Sequence, residues 1–90
     1  MSDLDEQFVK AQADVKTLTS RPSNDDLLEL YAAFKQATAG EAAAGKKPGR
    51  FDLVGKAKYE AWSKLAGLSA DDAKKRYVAT TQRLLGTEPR

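Results

Sequence analysis

Two serines, Ser23 and Ser69, are each followed three residues later by an aspartate, Asp26 and Asp72. A serine at such a position accepts a hydrogen bond from the third amide of a helix, and acidic residues in the first turn face the positive end of the helix dipole. The two pairs therefore mark helix starts. Gly40 and Gly67 mark stops, because glycine accepts the left-handed conformation that ends helices. Upstream, Leu4, Phe8, Ala11, Val15 and Leu18 recur at steps of four and three, the spacing of one helical face. Arg21-Pro22 interrupts that run. The reading is four helices: a first through Leu18, a second from Asn24 to Ala39, a third capped by Asp52 from Leu53 to Leu65, and a fourth from Ser69 to Leu85. The fourth should turn Ala73, Tyr77, Thr80 or Thr81, and Leu84 inward. No hairpin signal is present, so the chain reads as one all-α domain over 1–90. Residues 41–51 form the longest connection, and its alanines could make a turn of helix before Gly45, Pro48 and Gly49 break it. A connection of that length permits a crossover, and the spacing alone leaves open which helices are neighbours.

The residue inventory narrows the chemistry. Ninety residues carry neither cysteine nor histidine. Disulfides, thiolate zinc sites, and Ser-His or Cys-His catalysis cannot be assembled from such a chain. The acidic, polar start Met1-Ser2-Asp3-Leu4-Asp5-Glu6 does not read as a secretory signal, and no apolar run is long enough to span a membrane. The expectation is a cytoplasmic protein with no catalytic residues, no metal and no cofactor. Net charge is only +2, but its distribution is uneven. Residues 1–45 hold four basic and eight acidic side chains, whereas residues 46–64 hold six basic and two acidic. A local positive field on a nearly neutral body suits a compact polyanion better than a long nucleic-acid backbone.

Two stretches could present that field to a ligand. The first is Leu30-Tyr31-Ala32-Ala33-Phe34-Lys35-Gln36-Ala37-Thr38-Ala39-Gly40 and the second Gly55-Lys56-Ala57-Lys58-Tyr59-Glu60-Ala61-Trp62. At the helical step, Lys35 lies about 40° round from Tyr31, beside Leu28, at the rim of the stripe carrying Leu27, Tyr31 and Phe34. Lys58 sits beside the stripe Val54, Ala57, Ala61 and Leu65. Lysines give compact positive charge to a phosphate and a tyrosine hydroxyl gives a directed hydrogen bond. An aromatic face can stack on a purine. Leu27, Leu28 and nearby alanines could line a groove for an apolar tail. Taken one at a time, each of these lysines reads as a solvated flank charge and Tyr31 as a core-edge residue. Trp62 reads as core.

The two runs also carry a resemblance. Phe8-x-x-Ala11, Val15-Lys16-x-Leu18, Pro22, Leu30-Tyr31-x-x-Phe34-Lys35-Gln36-Ala37-Thr38-x-Gly40, Pro48-Gly49, Asp52-x-x-Gly55-Lys56-Ala57-Lys58-x-x-Ala61-Trp62 and Gly67-x-Ser69-x-x-Asp72-Ala73-x-x-x-Tyr77 resemble the acyl-CoA-binding protein family over nearly the full length. The resemblance implies a four-helix bundle of up-down-down-up order with an overhand connection between the second and third helices. It implies non-enzymatic binding of medium- and long-chain fatty acyl-CoA esters. Tyr31, Lys35 and Lys58 would then hold the ribose 3′-phosphate. Phe34, Lys16 and Tyr77 would complete the adenine and head-group site, and Leu27 and Leu28 would lie along the acyl groove. Phe34, Tyr59 and Val54 stand where the family usually has tyrosine, tryptophan and lysine.

The expected partners are fatty acyl-CoA esters, with transient contact to a membrane or an acyl-CoA-using enzyme, and no nucleic acid. The chain should act as a monomer. The rival reading is a helical protein-interaction module whose groove takes a partner helix and does not depend on Tyr31, Lys35 and Lys58. A nucleic-acid binder would instead spread its contacts over Lys46, Lys47, Arg50, Lys74, Lys75 and Arg76.

Overall fold

A computed structural model describes residues 3–40, 49 and 52–87. The four helices are α1 (Asp3–Val15), α2 (Asn24–Thr38), α3 (Leu53–Ser63) and α4 (Ala70–Thr87). Their starts follow the capping residues. The Ser23 hydroxyl accepts from the Asp26 amide at 3.1 Å, Ser69 accepts from Asp72 at 3.1 Å, and the Asp52 carboxylate accepts from Gly55 at 2.8 Å. Gly40 and Gly67 take φ of 84° and 87°, the left-handed values that a side chain resists.

The helix ends differ from the sequence expectation in two places. The apolar pattern runs to Leu18, but α1 stops at Val15. Beyond it, Lys16, Thr17 and Leu18 donate to carbonyls only three residues back, and the Thr17 hydroxyl competes for the Asp14 carbonyl at 2.7 Å. Leu18 still packs on the core, so its place in the periodicity reflects burial and not helix. Likewise α3 stops at Ser63, and Leu65 is reached by a tighter turn in which its amide donates to the Trp62 carbonyl.

The register of side-chain contacts gives the topology. Asp5 pairs with Lys74, and Phe8 meets Tyr77 edge to ring at 5.2 Å, so α1 and α4 run parallel. Asp26 pairs with Arg83 and Glu29 with Arg76, so α2 runs antiparallel to α4. Lys58 lies over Tyr31 and Lys35 over Trp62, a step of four on both helices in the same sense, so α2 and α3 run parallel. The order is up, down, down, up. At 1.5 Å per residue the 15-residue α2 is about 22 Å long, and the chain between Thr38 and Leu53 has to travel back along it. The overhand connection that the resemblance implies falls in this segment. The alanines, Lys46, Lys47 and Arg50 of that connection lie outside the described residues.

The core sits where α4 packs between α1 and α2. Phe8, Phe34 and Tyr77 meet there with ring centroids 5.2–6.4 Å apart, joined by Ala11, Leu30, Ala33, Val78 and Leu84. The inward face of α4 carries Ala73, Tyr77 and Leu84 as expected, and both Thr80 and Thr81 are buried. Thr81 sits at 1 % exposure because its hydroxyl donates to the Tyr77 carbonyl of its own helix at 2.9 Å, leaving its methyl to the core.

The Asp26–Arg83 pair ties the start of α2 to the end of α4. The Arg83 bond, with help from the Ser23 hydroxyl, holds the Asp26 carboxyl below the usual carboxylate range. A depressed folded-state value stabilises the fold above the ordinary carboxylate pKa of about 3.9, and that contribution is lost as pH falls through the folded value. Replacing Arg83 with glutamine should therefore lower stability in the neutral region, flatten the acid limb of a stability–pH curve, and leave the most acidic end nearly unchanged. Chemical denaturation at a series of pH values from 7 down to about 2 checks this.

Candidate functional site

The parallel pairing of α2 and α3 builds the site. Tyr31 and Lys35 stand one turn apart on α2, and Lys58 and Trp62 stand one turn apart on α3. Each ammonium lies over the ring that faces it across the interface: Lys58 Nζ is 5.2 Å from the Tyr31 centroid and Lys35 Nζ is 5.3 Å from the Trp62 centroid. Such cation–π contacts are individually weak at partly exposed positions, but they set two positive charges at one seam. Neither lysine has a carboxylate within salt-bridge distance among the described residues. The cations of α4 are different, since Lys74 pairs with Asp5, Lys75 with Asp72 and Arg76 with Glu29. The run Lys74-Lys75-Arg76 thus has carboxylate partners, whereas Lys35 and Lys58 have none among the described residues.

An apolar groove opens beside the lysine seam. It occupies about 450 Å³ between the first halves of α2 and α3, with Leu27, Leu28, Leu53, Val54, Ala57 and Lys58 among its walls. Leu53 and Val54 form its lip and are 76 % and 67 % exposed, so a ligand laid in the groove can cover apolar surface that the bundle itself leaves in water. Val54 contributes an apolar side chain at that lip. Lys58 belongs to both the groove and the Tyr31 pair, and so links the cationic and apolar parts.

Of the residues marked in the sequence, Tyr31, Lys35 and Lys58 come together at the seam, and Leu27 and Leu28 line the adjoining groove. Phe34 is half-buried and turns its ring toward Phe8 and Tyr77. Tyr77 is only 7 % exposed and sits in the aromatic cluster of α1, α2 and α4, where burial pushes its phenol pKa up. Lys16 is exposed in the turn after α1, where its amide donates to the Ala13 carbonyl, a bond that does not join it to the seam.

The residue whose role the sequence reading missed is Gln36. It is 2 % exposed, its amide nitrogen donates to the Leu68 carbonyl at 2.9 Å, and its amide oxygen accepts from the Trp62 indole at 3.1 Å. The same indole N–H also reaches the Gly40 carbonyl at 2.8 Å. Gln36 thereby ties α2 to α3 and to the α3–α4 turn, and holds in place the ring beneath Lys35. The available signal was a glutamine next to Lys35 at a helical position otherwise suited to an apolar residue.

A small four-helix protein with a cationic, aromatic seam opening into an apolar groove is a binding protein for a ligand that is anionic at one end and apolar at the other. Comparison with known proteins gives the family. The sequence model described as acyl CoA binding protein matches residues 5–81. An acyl-CoA-binding protein homolog of Manduca sexta is 54 % identical over 84 residues, covering 93 % of both chains. The acyl-CoA-binding protein of Saccharomyces cerevisiae is 45 % identical over 85 residues, covering 94 % of this chain and 93 % of its own. The crystal structure of Oryza sativa acyl-CoA-binding protein 2 superposes with a TM-score of 0.84 at 36 % identity, covering 92 % of this chain and 91 % of that one. The chain belongs to the acyl-CoA-binding protein family.

Proposed function

We propose that this protein binds medium- and long-chain fatty acyl-CoA esters reversibly and without turnover, holding the 3′-phosphate end at the Tyr31–Lys35–Lys58 seam and the acyl tail in the adjoining groove. The observation that carries this reading is the continuity of the two parts through Lys58: a charge centre with no carboxylate partner among the described residues adjoins an exposed apolar trough. Phe34 sits one turn on from Tyr31 along α2 and can present a ring edge to the adenine. Tyr77 supports that position from behind, through its packing on Phe34. Lys16 would reach the head group only by swinging its side chain from the turn after α1. The same proposal makes the protein a monomeric cytoplasmic carrier that buffers and transports the ester between the membranes and enzymes that use it.

Titration calorimetry with palmitoyl-CoA, CoA and palmitate tests the proposal. The ester should bind tightly at one-to-one stoichiometry. CoA keeps the phosphate contacts but loses the tail, and palmitate keeps the tail but loses the phosphates, so each half should bind far more weakly. Each methylene that leaves water for the groove contributes about 0.8 kcal/mol, so affinity should rise about fourfold per added carbon until the groove is full. Equal affinities for the ester and CoA would refute the role of the groove. A protein-interaction module would instead give heat with a helical peptide and none with the ester.

A further inference from the structure

The groove shares a wall with a neighbouring cavity. A second cavity of about 280 Å³ lies one turn further along both helices, floored by Ala32 of α2 and by Ala61 and Leu65 of α3, with the Glu29–Arg76 pair at its edge. Ala57 in the first cavity and Ala61 in the second are successive positions on one face of α3, and each presents only a methyl group to the interface. The described residue that lines both cavities is Leu28. Its side chain thus stands as the wall shared by the apolar groove and a second cavity of mixed apolar and charged lining.

We propose that Leu28 is a specificity-determining residue that closes the acyl groove against this second cavity and thereby sets the longest tail the protein can shelter. The inference rests on the reading of the first cavity as the acyl groove. A tail running from the Lys58 end along Leu27 and Ala57 meets the Leu28 side chain before it reaches Ala61. Carbons beyond that point stay in water and add nothing to affinity, so the gain per methylene stops at a definite length. The volume behind the partition is lined by Leu28, Ala32, Ala61 and Leu65 together with the charged Asp25, Glu29, Lys64 and Arg76, and its apolar wall can accept those carbons once the partition is removed.

The test is the dependence of affinity on chain length, measured by calorimetry for saturated acyl-CoA esters from twelve to twenty-four carbons with the intact protein. The readout is the length at which the plot breaks from rising to flat, not the affinity itself, because Leu28 also touches the tail. In the unmodified protein the plot should break. In Leu28→Ala the break should move to longer esters, with about a fourfold gain for each carbon newly sheltered. Adding Ala61→Leu to Leu28→Ala refills the second cavity and should return the break to its original place. Ala61→Leu alone should leave the break where it is, and this variant keeps the test open if Leu28→Ala fails to fold. A break that stays put in folded Leu28→Ala overturns the partition while leaving the groove reading standing. So does an Ala61→Leu protein that loses affinity for the longest esters, since the tail would then already occupy the second cavity. An unmodified protein that binds every ester no more tightly than CoA removes the groove reading and the partition with it.

Discussion

Replacing Trp62 with alanine should lower the unfolding free energy by about 3–5 kcal/mol, the range for truncating a buried aromatic side chain. Small domains have about 5–15 kcal/mol in total, so the variant should be partly unfolded at moderate temperature. Trp62 is 7 % exposed and is the main apolar anchor of α3 on α2. Its loss also leaves the Gln36 amide oxygen and the Gly40 carbonyl without the indole donor. Trp62→Phe separates the two effects, because it keeps most of the packing and removes the N–H. That change should cost about 1–3 kcal/mol, the penalty for a buried polar group left unpaired. Urea denaturation followed by circular dichroism gives both numbers. Equal losses for the two variants would mean that the hydrogen bonds, and not the ring, hold α3 in place. An unaffected Trp62→Phe protein would mean that water replaces the indole donor without penalty.

Removing either seam lysine should weaken palmitoyl-CoA binding by about 1.5–3 kcal/mol, or roughly ten- to 150-fold, because a charge-assisted bond to phosphate is lost. Lys58→Ala should have the broader effect, since Lys58 lines the groove as well as facing Tyr31. Lys35→Ala should reduce affinity for CoA and for the ester by the same factor, because its partner is confined to the head-group end. Tyr31→Phe keeps the ring under Lys58 and removes only the hydroxyl, so its smaller loss isolates the directed bond to the phosphate. All three variants should retain wild-type helicity, as none of these side chains is fully buried. Calorimetry with both ligands distinguishes a head-group contact from a general loss. Undiminished affinity in the three variants would place the anion elsewhere, and Lys16 and Lys56 would be the next residues to replace.

The element boundaries were largely legible in the sequence because they depend on neighbours along the chain, whereas the seam residues stood out only through the family resemblance, since taken singly they read as flank charges and core edge. Ser23, Asp52 and Ser69 accept hydrogen bonds from amides three residues away, and Gly40 and Gly67 relieve a strain that is local to one residue. Tyr31 and Lys35, or Lys58 and Trp62, are one helical turn apart whatever surrounds them. The Phe8, Ala11 and Val15 stripe on α1 and the Ala73, Tyr77 and Leu84 stripe on α4 announced their burial through spacing alone. Leu18 shows where this stops, because burial and helix carry the same period and only the backbone bonds tell them apart.

Which helices meet, and in which sense, rests on contacts between residues far apart in the chain, and no local pattern encodes those. The tertiary structure made α2 and α3 parallel, and that choice put Lys58 over Tyr31 and Lys35 over Trp62 instead of displacing the two lysines to opposite ends. It paired Lys74 with Asp5 and Arg76 with Glu29, and left Lys35 and Lys58 without such partners among the described residues. It gave Gln36 its two tertiary bonds, to residues 26 and 32 positions away. Sequence by itself determined four helices, three of them with capping residues, their apolar faces, and two cation-bearing turns. The parallel packing of α2 on α3 decided that those turns form one site, because burying the Leu30, Ala33 and Trp62 faces together fixes the register of everything beside them.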